Sequence, residues 1–477
     1  MTIPAAIKNM ASYAIGLFLI KGLSLLMLPV VANYLAPAQL GKLELLASIG
    51  TFIGLLIGLA MHEALYRFAG DKQSEPERFN IASHLFKTTL LLSVCACGLL
   101  LFIANSAPVL SILPVSQLEL NIVLTSISLE GAIGIGLAWL RMQDKVHAFL
   151  KICISTSVLQ VMLVVTVLYT APSVANILLA SFIAHLVQLL GIGLYNKFSW
   201  RIKQAAPLSR YWAYSIPIML SGLVAFGLNG AERWLLAAST SLTELGQYAI
   251  AAKFSLAMCI LVQPFGMWWM PKRFHYLSYV GAIKTRTITQ YGLLLISLLT
   301  VLIAGAGQCF ILLALPELYH DAGNLLIATL AIAWCKEVAE LTNVGILHHK
   351  KTKHLLSINL ACTLVGLCTA LALGQYGIWA ILGSLFFAQF IRALAITYVS
   401  QRLERLPYQI YELSAVFVVT FAMLGVYTQE LSATSLAALS LLSPVLLLLL
   451  ASWLRLIPTL HCFNWQVMIQ RLSGRTQ

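Results

Sequence analysis

Apolar stretches long enough to cross a bilayer recur along the whole chain, and they constrain its fold more than any motif does. A spanning helix needs about 20 mostly apolar residues, because the hydrocarbon core is about 30 Å thick and each helical residue rises about 1.5 Å. About fourteen windows meet that length. They lie near 9–35, 40–66, 83–105, 118–141, 149–171, 174–196, 211–238, 246–270, 287–315, 321–347, 355–374, 377–400, 411–428 and 434–455. Lipid does not tolerate unpaired backbone amides, and no window alternates as a barrel strand would, so the windows read as helices. The expected fold is an all-α polytopic membrane protein. With 60% hydrophobic and only 10% charged residues, the chain is neither a disordered, a collagen-like nor a disulfide-scaffold protein.

The net charge of +13 suggests a nucleic-acid partner at first sight. Its distribution argues otherwise. With a cytoplasmic N-terminus, the even-numbered connections hold Arg67, Lys72, Arg78 and Lys87, then Arg141, Lys145 and Lys151, then Lys197, Arg201, Lys203 and Arg210. Later ones hold Lys272, Arg273, Lys284 and Arg286, then Lys350, Lys351 and Lys353, then Arg402 and Arg405. Counting Lys8 and the tail, roughly 24 of the 30 lysines and arginines fall on one side, the positive-inside pattern with both termini cytoplasmic. A nucleic-acid binder would gather its basic residues on one face, so no nucleic-acid partner is expected. Trp200, Trp212, Trp268, Trp269 and Trp453 fall at the same predicted interface, as an aromatic belt would. The first apolar run is too long for a cleaved signal and reads as the first span. None of the nine cysteines falls in an outer connection, so no disulfide is expected.

A faint internal repeat divides the chain. Tyr13-Ala-Ile-Gly16 corresponds to Tyr214-Ser-Ile-Pro217, Leu40-Gly41 to Leu245-Gly246, and Leu140-Arg141 to Leu347-His348, all at offsets near 200 residues. The arrangement expected is two pseudo-symmetric six-helix lobes, 1–200 and 201–405, around a central cavity, with an extra helix pair and cytoplasmic tail at 406–477.

The opening stretch carries Lys21 within a span, Leu28-Pro29, a Tyr34-Leu-x-Pro37 turn, Gly41, and Arg67-Phe68. The second half carries Glu232-Arg233-x-x-Leu236 followed by Leu245-Gly246-x-Tyr248. In these features the chain resembles the Wzx-type polysaccharide and lipid-linked oligosaccharide flippases of the multidrug/oligosaccharidyl-lipid/polysaccharide exporter superfamily. One departure is Glu232, which stands where that family usually has Asp and keeps the charge. The final helix pair resembles that of the fourteen-span lipid II flippases. The resemblance implies a substrate, an undecaprenyl-diphosphate-linked oligosaccharide such as an O-antigen or exopolysaccharide repeat unit. It also implies the bacterial cytoplasmic membrane, alternating access driven by H+ or Na+ with no other cofactor, and association with polysaccharide polymerase and export machinery.

Ionisable groups inside the membrane cost at least about 2.5 kcal/mol each, so each should face a cavity or a partner. Lys21 has no charged neighbour within several turns; it reads as an anion site for pyrophosphate or acidic sugar, or as the partner of Glu130. Lys253, Arg233 and Arg392 are further candidate cavity cations, Arg392 being close enough to the surface to snorkel. Glu232 and Arg233 are adjacent, about 100° apart on a helix, and are expected to seek separate partners in a gate or at the substrate. Lys336 and Glu340, four apart, are expected to neutralise each other, with Glu337 completing a cluster that either binds a coupling ion or is structural. Glu63 and Arg67 read as a pair, and Glu130 as a lone proton-carrier candidate. His185, Lys42 and Glu44 are lesser candidates. The run His348-His-Lys-Lys-Thr-Lys-His354 reads as a cluster attracting anionic headgroups rather than zinc, since its lysines disfavour a dication.

Two other functions remain open. A cation-coupled multidrug exporter of the same superfamily would favour carboxylates and aromatics over the lone Lys21. A membrane glycosyltransferase or polymerase would need acidic or His-bearing outer loops, whereas the outer loops here are short and no metal cluster, phosphate loop or triad is seen.

Overall fold

The computed structural model describes residues 22–70, 72–106, 114–199, 207–270, 272–429 and 432–457. It is 88% helical and has no strand among the described residues. The helices are α1 (Gly22–Tyr34), α2 (Pro37–Gly58), α3 (Met61–Gly70), α4 (Glu75–Ser106), α5 (Gln117–Met142), α6 (Val146–Thr170), α7 (Val174–Asn196), α8 (Leu208–Asn229) and α9 (Glu232–Ser239). They continue as α10 (Leu242–Trp269), α11 (Arg273–His275), α12 (Ala282–Ala314), α13 (Ala322–Thr342), α14 (Val344–His348), α15 (Thr352–Leu373), α16 (Ile378–Leu403), α17 (Ile410–Val426) and α18 (Ala433–Trp453). Among the described residues, ten helical spans are long and apolar enough to cross a membrane. The pair α8 and α9, bent by 44°, would make an eleventh. The windows near 9–35, 321–347 and 411–428 fall outside that number; α1 is described only from Gly22, and α17 has 17 residues.

The described chain divides into two units, 1–249 and 250–477. In the first, α8 and α9 pack on α2, and α8 also packs on α3. At the centre of this unit lies α5, with 67% of its most apolar stretch buried against 22% for α4, α6 and α7. Its start is set by a reciprocal cap: Glu119 N–H donates to Ser116 Oγ at 3.3 Å, and Ser116 N–H donates to Glu119 Oε2 at 2.8 Å. Leu129, Ile133, Ile135 and Trp139 of α5 pack with Met61, Leu65, Leu85, Phe86 and Ile192. The second predicted span is broken at Leu59 and Ala60, whose φ of 48° and 49° turn the chain out of α2 and into α3.

The starts of α2 and α10 cross at backbone contact. A Cβ on Gly41 would collide with the Leu242 carbonyl, and a Cβ on Gly246 with the Pro37 carbonyl. The contact is reciprocal at an offset of 205 residues, the same Leu-Gly correspondence that marks the internal repeat. Glycine is required at both positions because any side chain would push the two helix backbones apart.

In the second unit α12 packs against α13, α17 and α18, with 56% of its most apolar stretch buried. Trp334 of α13 donates from Nε1 to Ser297 Oγ at 3.1 Å and meets Phe417 and Phe421 edge-on. Trp269 does not join an interfacial belt: it is fully buried and packs edge-on against Tyr276, whereas Trp268 and Trp453 are exposed. It sits where α10 ends and the chain turns back through α11, so its ring fills the corner. Elsewhere large apolar side chains such as Leu99, Phe102, Leu194 and Leu441 point outward. An outward apolar face is what lipid rather than water demands. The described cysteines are all free.

Candidate functional site

Within the first unit, charge gathers where α2, α9 and α10 meet. Arg233 Nε donates to Glu44 Oε1 at 2.6 Å, and its Nη1 donates to Glu232 Oε1 at 2.7 Å. Tyr248 donates its hydroxyl to the same Glu232 oxygen at 3.2 Å. Glu232 and Arg233 therefore pair directly, contrary to the expectation from helical spacing. The reason is the bend: Glu232 is the first residue of α9, with no preceding turn of that helix to confine it, and the long arginine folds back over it. Glu232 also favours this position because it faces the positive end of the α9 dipole. Nearby, Lys42 and the buried Glu119 lie 3.5 Å apart, tying α2 to α5.

Glu130 has a different setting. It is exposed on α5, and its Oε2 lies 3.4 Å from where a Cβ of Gly54 would stand, so it faces α2. It forms no ion pair or hydrogen bond with a described residue. One turn earlier on α5, Ser126 Oγ and His185 Nδ1 of α7 lie 2.9 Å apart. Glu63 stands in the first turn of α3, 3.6 Å from His62, and Arg67 in its last turn. Lys21 lies outside the described residues, and with it the expectation that it meets Glu130.

Within the second unit, charge gathers between α13 and α16. Arg392, 5% exposed, donates from Nη2 to Glu340 Oε1 at 3.0 Å, from Nε to Asn359 Oδ1 at 2.8 Å and from Nη1 to Gln389 Oε1 at 3.1 Å. Its guanidinium is held inside and does not snorkel. The three acceptors come from α13, α15 and α16, a fork that a lysine could not fill. On its other oxygen, Glu340 accepts from Asn343 Nδ2 at 3.4 Å. Asn343 Oδ1 in turn accepts from Arg273 Nη1 at 2.9 Å. Burial lowers the pKa of Arg273, and the charge of Glu340 works against that shift.

Glu340 is thus engaged by Arg392 and not by Lys336, as its spacing had suggested. Glu337 is also engaged, by the Cys259 thiol of α10. Lys336, half-buried and just before both acids in sequence, acts electrostatically on Glu337 and on Cys259. Lys253 lies half-buried on α10. At the end of α14, His349 Nε2 and Glu404 Oε2 lie 2.8 Å apart, and no cluster of three metal-binding side chains occurs among the described residues.

Sequence spacing missed Asn359 and Gln389 as partners of Arg392. Gln389 was within reach of it, being three residues before Arg392 on one helix face; Asn359, on another helix, carried no signal.

The sequence matches that of the polysaccharide biosynthesis protein family over residues 6–274. The chain belongs to that family. Both the Glu44–Arg233–Glu232 cluster and the Gly41–Gly246 crossing lie within the matched segment. No curated protein matches the chain in sequence. In fold, it is similar to the lipid II flippase MurJ in an inward-closed conformation, at a TM-score of 0.69 and 14% identity, covering 91% of this chain and 97% of that one. It is also similar to an inward-facing multidrug resistance MATE transporter of the MOP superfamily, at a TM-score of 0.61 and 13% identity, covering 85% and 99%. A third likeness is to a MOP superfamily transporter from Pyrococcus furiosus, at a TM-score of 0.53 and 15% identity, covering 85% and 96%. Its ten long apolar helices are those of a multi-pass membrane protein.

Proposed function

We propose that the protein is a flippase that carries an undecaprenyl-diphosphate-linked oligosaccharide, an O-antigen or exopolysaccharide repeat unit, from the inner to the outer leaflet of a bacterial cytoplasmic membrane. The observation that carries this reading is membership of the polysaccharide biosynthesis family together with a fold shared with a lipid II flippase. The physical task suits such a fold. A diphosphate and a string of hydroxyls cannot cross about 30 Å of hydrocarbon unaided, whereas the polyprenyl tail can remain in lipid throughout. The protein shelters the polar part and alternates its exposure, so no covalent bond is made or broken. The basic inner connections support cytoplasmic termini. Carboxylates among the spans, Glu130 foremost, supply places for H+ or Na+ to couple the cycle. A polymerase on the outer face would take up the product.

The test is complementation. In a strain lacking its own flippase, the protein should restore surface glycan, and Lys21→Ala should abolish that export at unchanged protein level. Normal export by the variant would remove Lys21 from the mechanism. Restored drug resistance without restored glycan would replace the flippase reading with a drug exporter.

A further inference from the structure

Between α10 and α12 the chain runs through α11 and a wider helical turn, Tyr276–Val280, and the stretch has two unlike faces. Trp269, Arg273 and Leu277, each four residues from the next, are buried. Trp269 packs edge-on against Tyr276, Arg273 donates to Asn343, and Leu277 packs with Val344 and Leu406. Trp268, Lys272, His275 and Tyr279 fall on the opposite face and are exposed, as are Ile283 and Lys284 at the start of α12. The period is that of an amphipathic helix, but the exposed face mixes rings with cations. Lys272 Nζ stands 5.1 Å from the centroid of the Trp268 ring, and the rings of His275 and Tyr279 are 4.9 Å apart. From Trp268 to Arg286 the sequence holds Lys272, Arg273, Lys284 and Arg286 and no aspartate or glutamate. The first unit differs: around the connection between α3 and α4, Lys72 and Glu77 lie 3.0 Å apart and His62 and Glu63 3.6 Å apart. Acids of the neighbouring elements are placed elsewhere. Glu404 is taken by His349 and Glu340 by Arg392, while Glu412 stands in the first turn of α17, whose dipole it suits. A positive-inside bias needs only net charge, which the first unit keeps alongside its pairs. An acid-free turn with aromatic rings beside its cations is the composition that binds an anionic membrane surface.

We propose that the exposed face of this turn is a docking surface for an anionic phospholipid of the leaflet it borders. Lys272 and Lys284 meet the headgroup phosphate, and Trp268, Tyr279 and Ile283 lie at the level of the glycerol and upper acyl chain. The buried face gives the contact a consequence. Arg273 joins the turn to Asn343, and through it to Glu340 and Arg392, so a docked lipid steadies the second charge cluster. Such docking requires only a protein set in a bilayer and is independent of what the protein carries.

The experiment uses the purified full-length protein in nanodiscs of phosphatidylcholine, alone or mixed with phosphatidylglycerol, at constant ionic strength. Retained lipid is counted by native mass spectrometry, and the melting temperature is recorded in both discs. Three double variants are compared with wild type: Lys272→Gln with Lys284→Gln, Lys272→Arg with Lys284→Arg, and Lys145→Gln with Lys151→Gln. The last removes equal charge from a basic connection of the first unit. Wild type and the arginine variant should retain phosphatidylglycerol and melt higher in the mixed discs. The Lys272→Gln, Lys284→Gln protein should melt as wild type does in phosphatidylcholine alone, since both side chains are exposed. In mixed discs it should lose about tenfold or more in phosphatidylglycerol retention, the scale for two cations at a membrane surface. The Lys145→Gln, Lys151→Gln protein should keep its retention. Equal losses in both glutamine variants would assign the effect to net charge and overturn the proposal. A wild type with no preference for phosphatidylglycerol overturns it, as does a Lys272→Gln, Lys284→Gln protein already destabilised in phosphatidylcholine alone. Glycerol phosphate and a polyglutamate peptide are added to wild type in detergent as soluble probes. Binding of either one, with no preference for phosphatidylglycerol discs, gives the turn to a free phosphate ester or an acidic protein instead.

Discussion

In the first unit one guanidinium, Arg233, serves two carboxylates, Glu44 and Glu232, with Tyr248 as an added donor. In the second, two guanidiniums, Arg273 and Arg392, converge on the single carboxylate of Glu340, one directly and one through Asn343. The first cluster carries excess acid and the second excess base. Apart from the first cluster, Glu130 of α5 forms no ion pair or hydrogen bond with a described residue, whereas beside the second cluster the charge of Lys336 acts on Glu337. The difference shows that like elements, helices with a few charges among apolar residues, can be locked with opposite stoichiometry.

Substitutions that remove one hub at a time should separate the two clusters. The largest effect is expected for Arg233→Met, which strands two carboxylates at once, one of them almost fully buried; a loss of about 3–5 kcal/mol is the scale for breaking such a pair. Its melting temperature in detergent should fall furthest of all, and adding Glu232→Gln and Glu44→Gln should recover much of it. Arg392→Met should cost less, about 2–3 kcal/mol, because the acid it strands is partly accessible and the other two orphans are neutral amides. If Arg392→Met proves the more damaging, the second cluster is the tighter lock and the comparison reverses.

Gly41→Ala and Gly246→Ala probe the crossing beside the first cluster. Each should cost about 1–2 kcal/mol by pushing helix backbones apart, and the double variant should cost less than the two combined, because the first methyl already separates the helices. Full additivity in thermal unfolding would mean that the two glycines do not share one contact. The smallest effect is expected for Glu340→Gln, about 1 kcal/mol or less, since the carboxylate is nearly half exposed and Arg392 keeps Asn359 and Gln389. A loss as large as that of Arg392→Met would mark Glu340 as the true hub.

Much of this was legible in the sequence. The order and type of the helices followed from runs of apolar residues, and the family from the features around Lys21, Glu232 and Leu245-Gly246. The weak Leu-Gly correspondence suggested an internal repeat, and the structure shows that its two glycines meet in a reciprocal backbone crossing. The pairing of charges was legible only in part. Spacing along a helix suggested that Lys336 would meet Glu340 and that Glu232 would avoid Arg233, and both expectations were reversed. In each case a feature outside the local repeat decided the matter: a competing arginine on α16 for the first, a helix break at residues 230–231 for the second. Trp269 belongs to the same class, an interfacial residue by position that the corner at the end of α10 turns inward.

The sequence by itself determined that the chain is helical and built for lipid, because transfer of a side chain into hydrocarbon and the length of a span are local properties that add along the chain. It also determined which ionisable residues lie among the helices. Only the tertiary structure decided which of them neutralise one another. Partner choice depends on which helices become neighbours, on their register, and on where a helix breaks, and these are set by packing between segments tens to hundreds of residues apart.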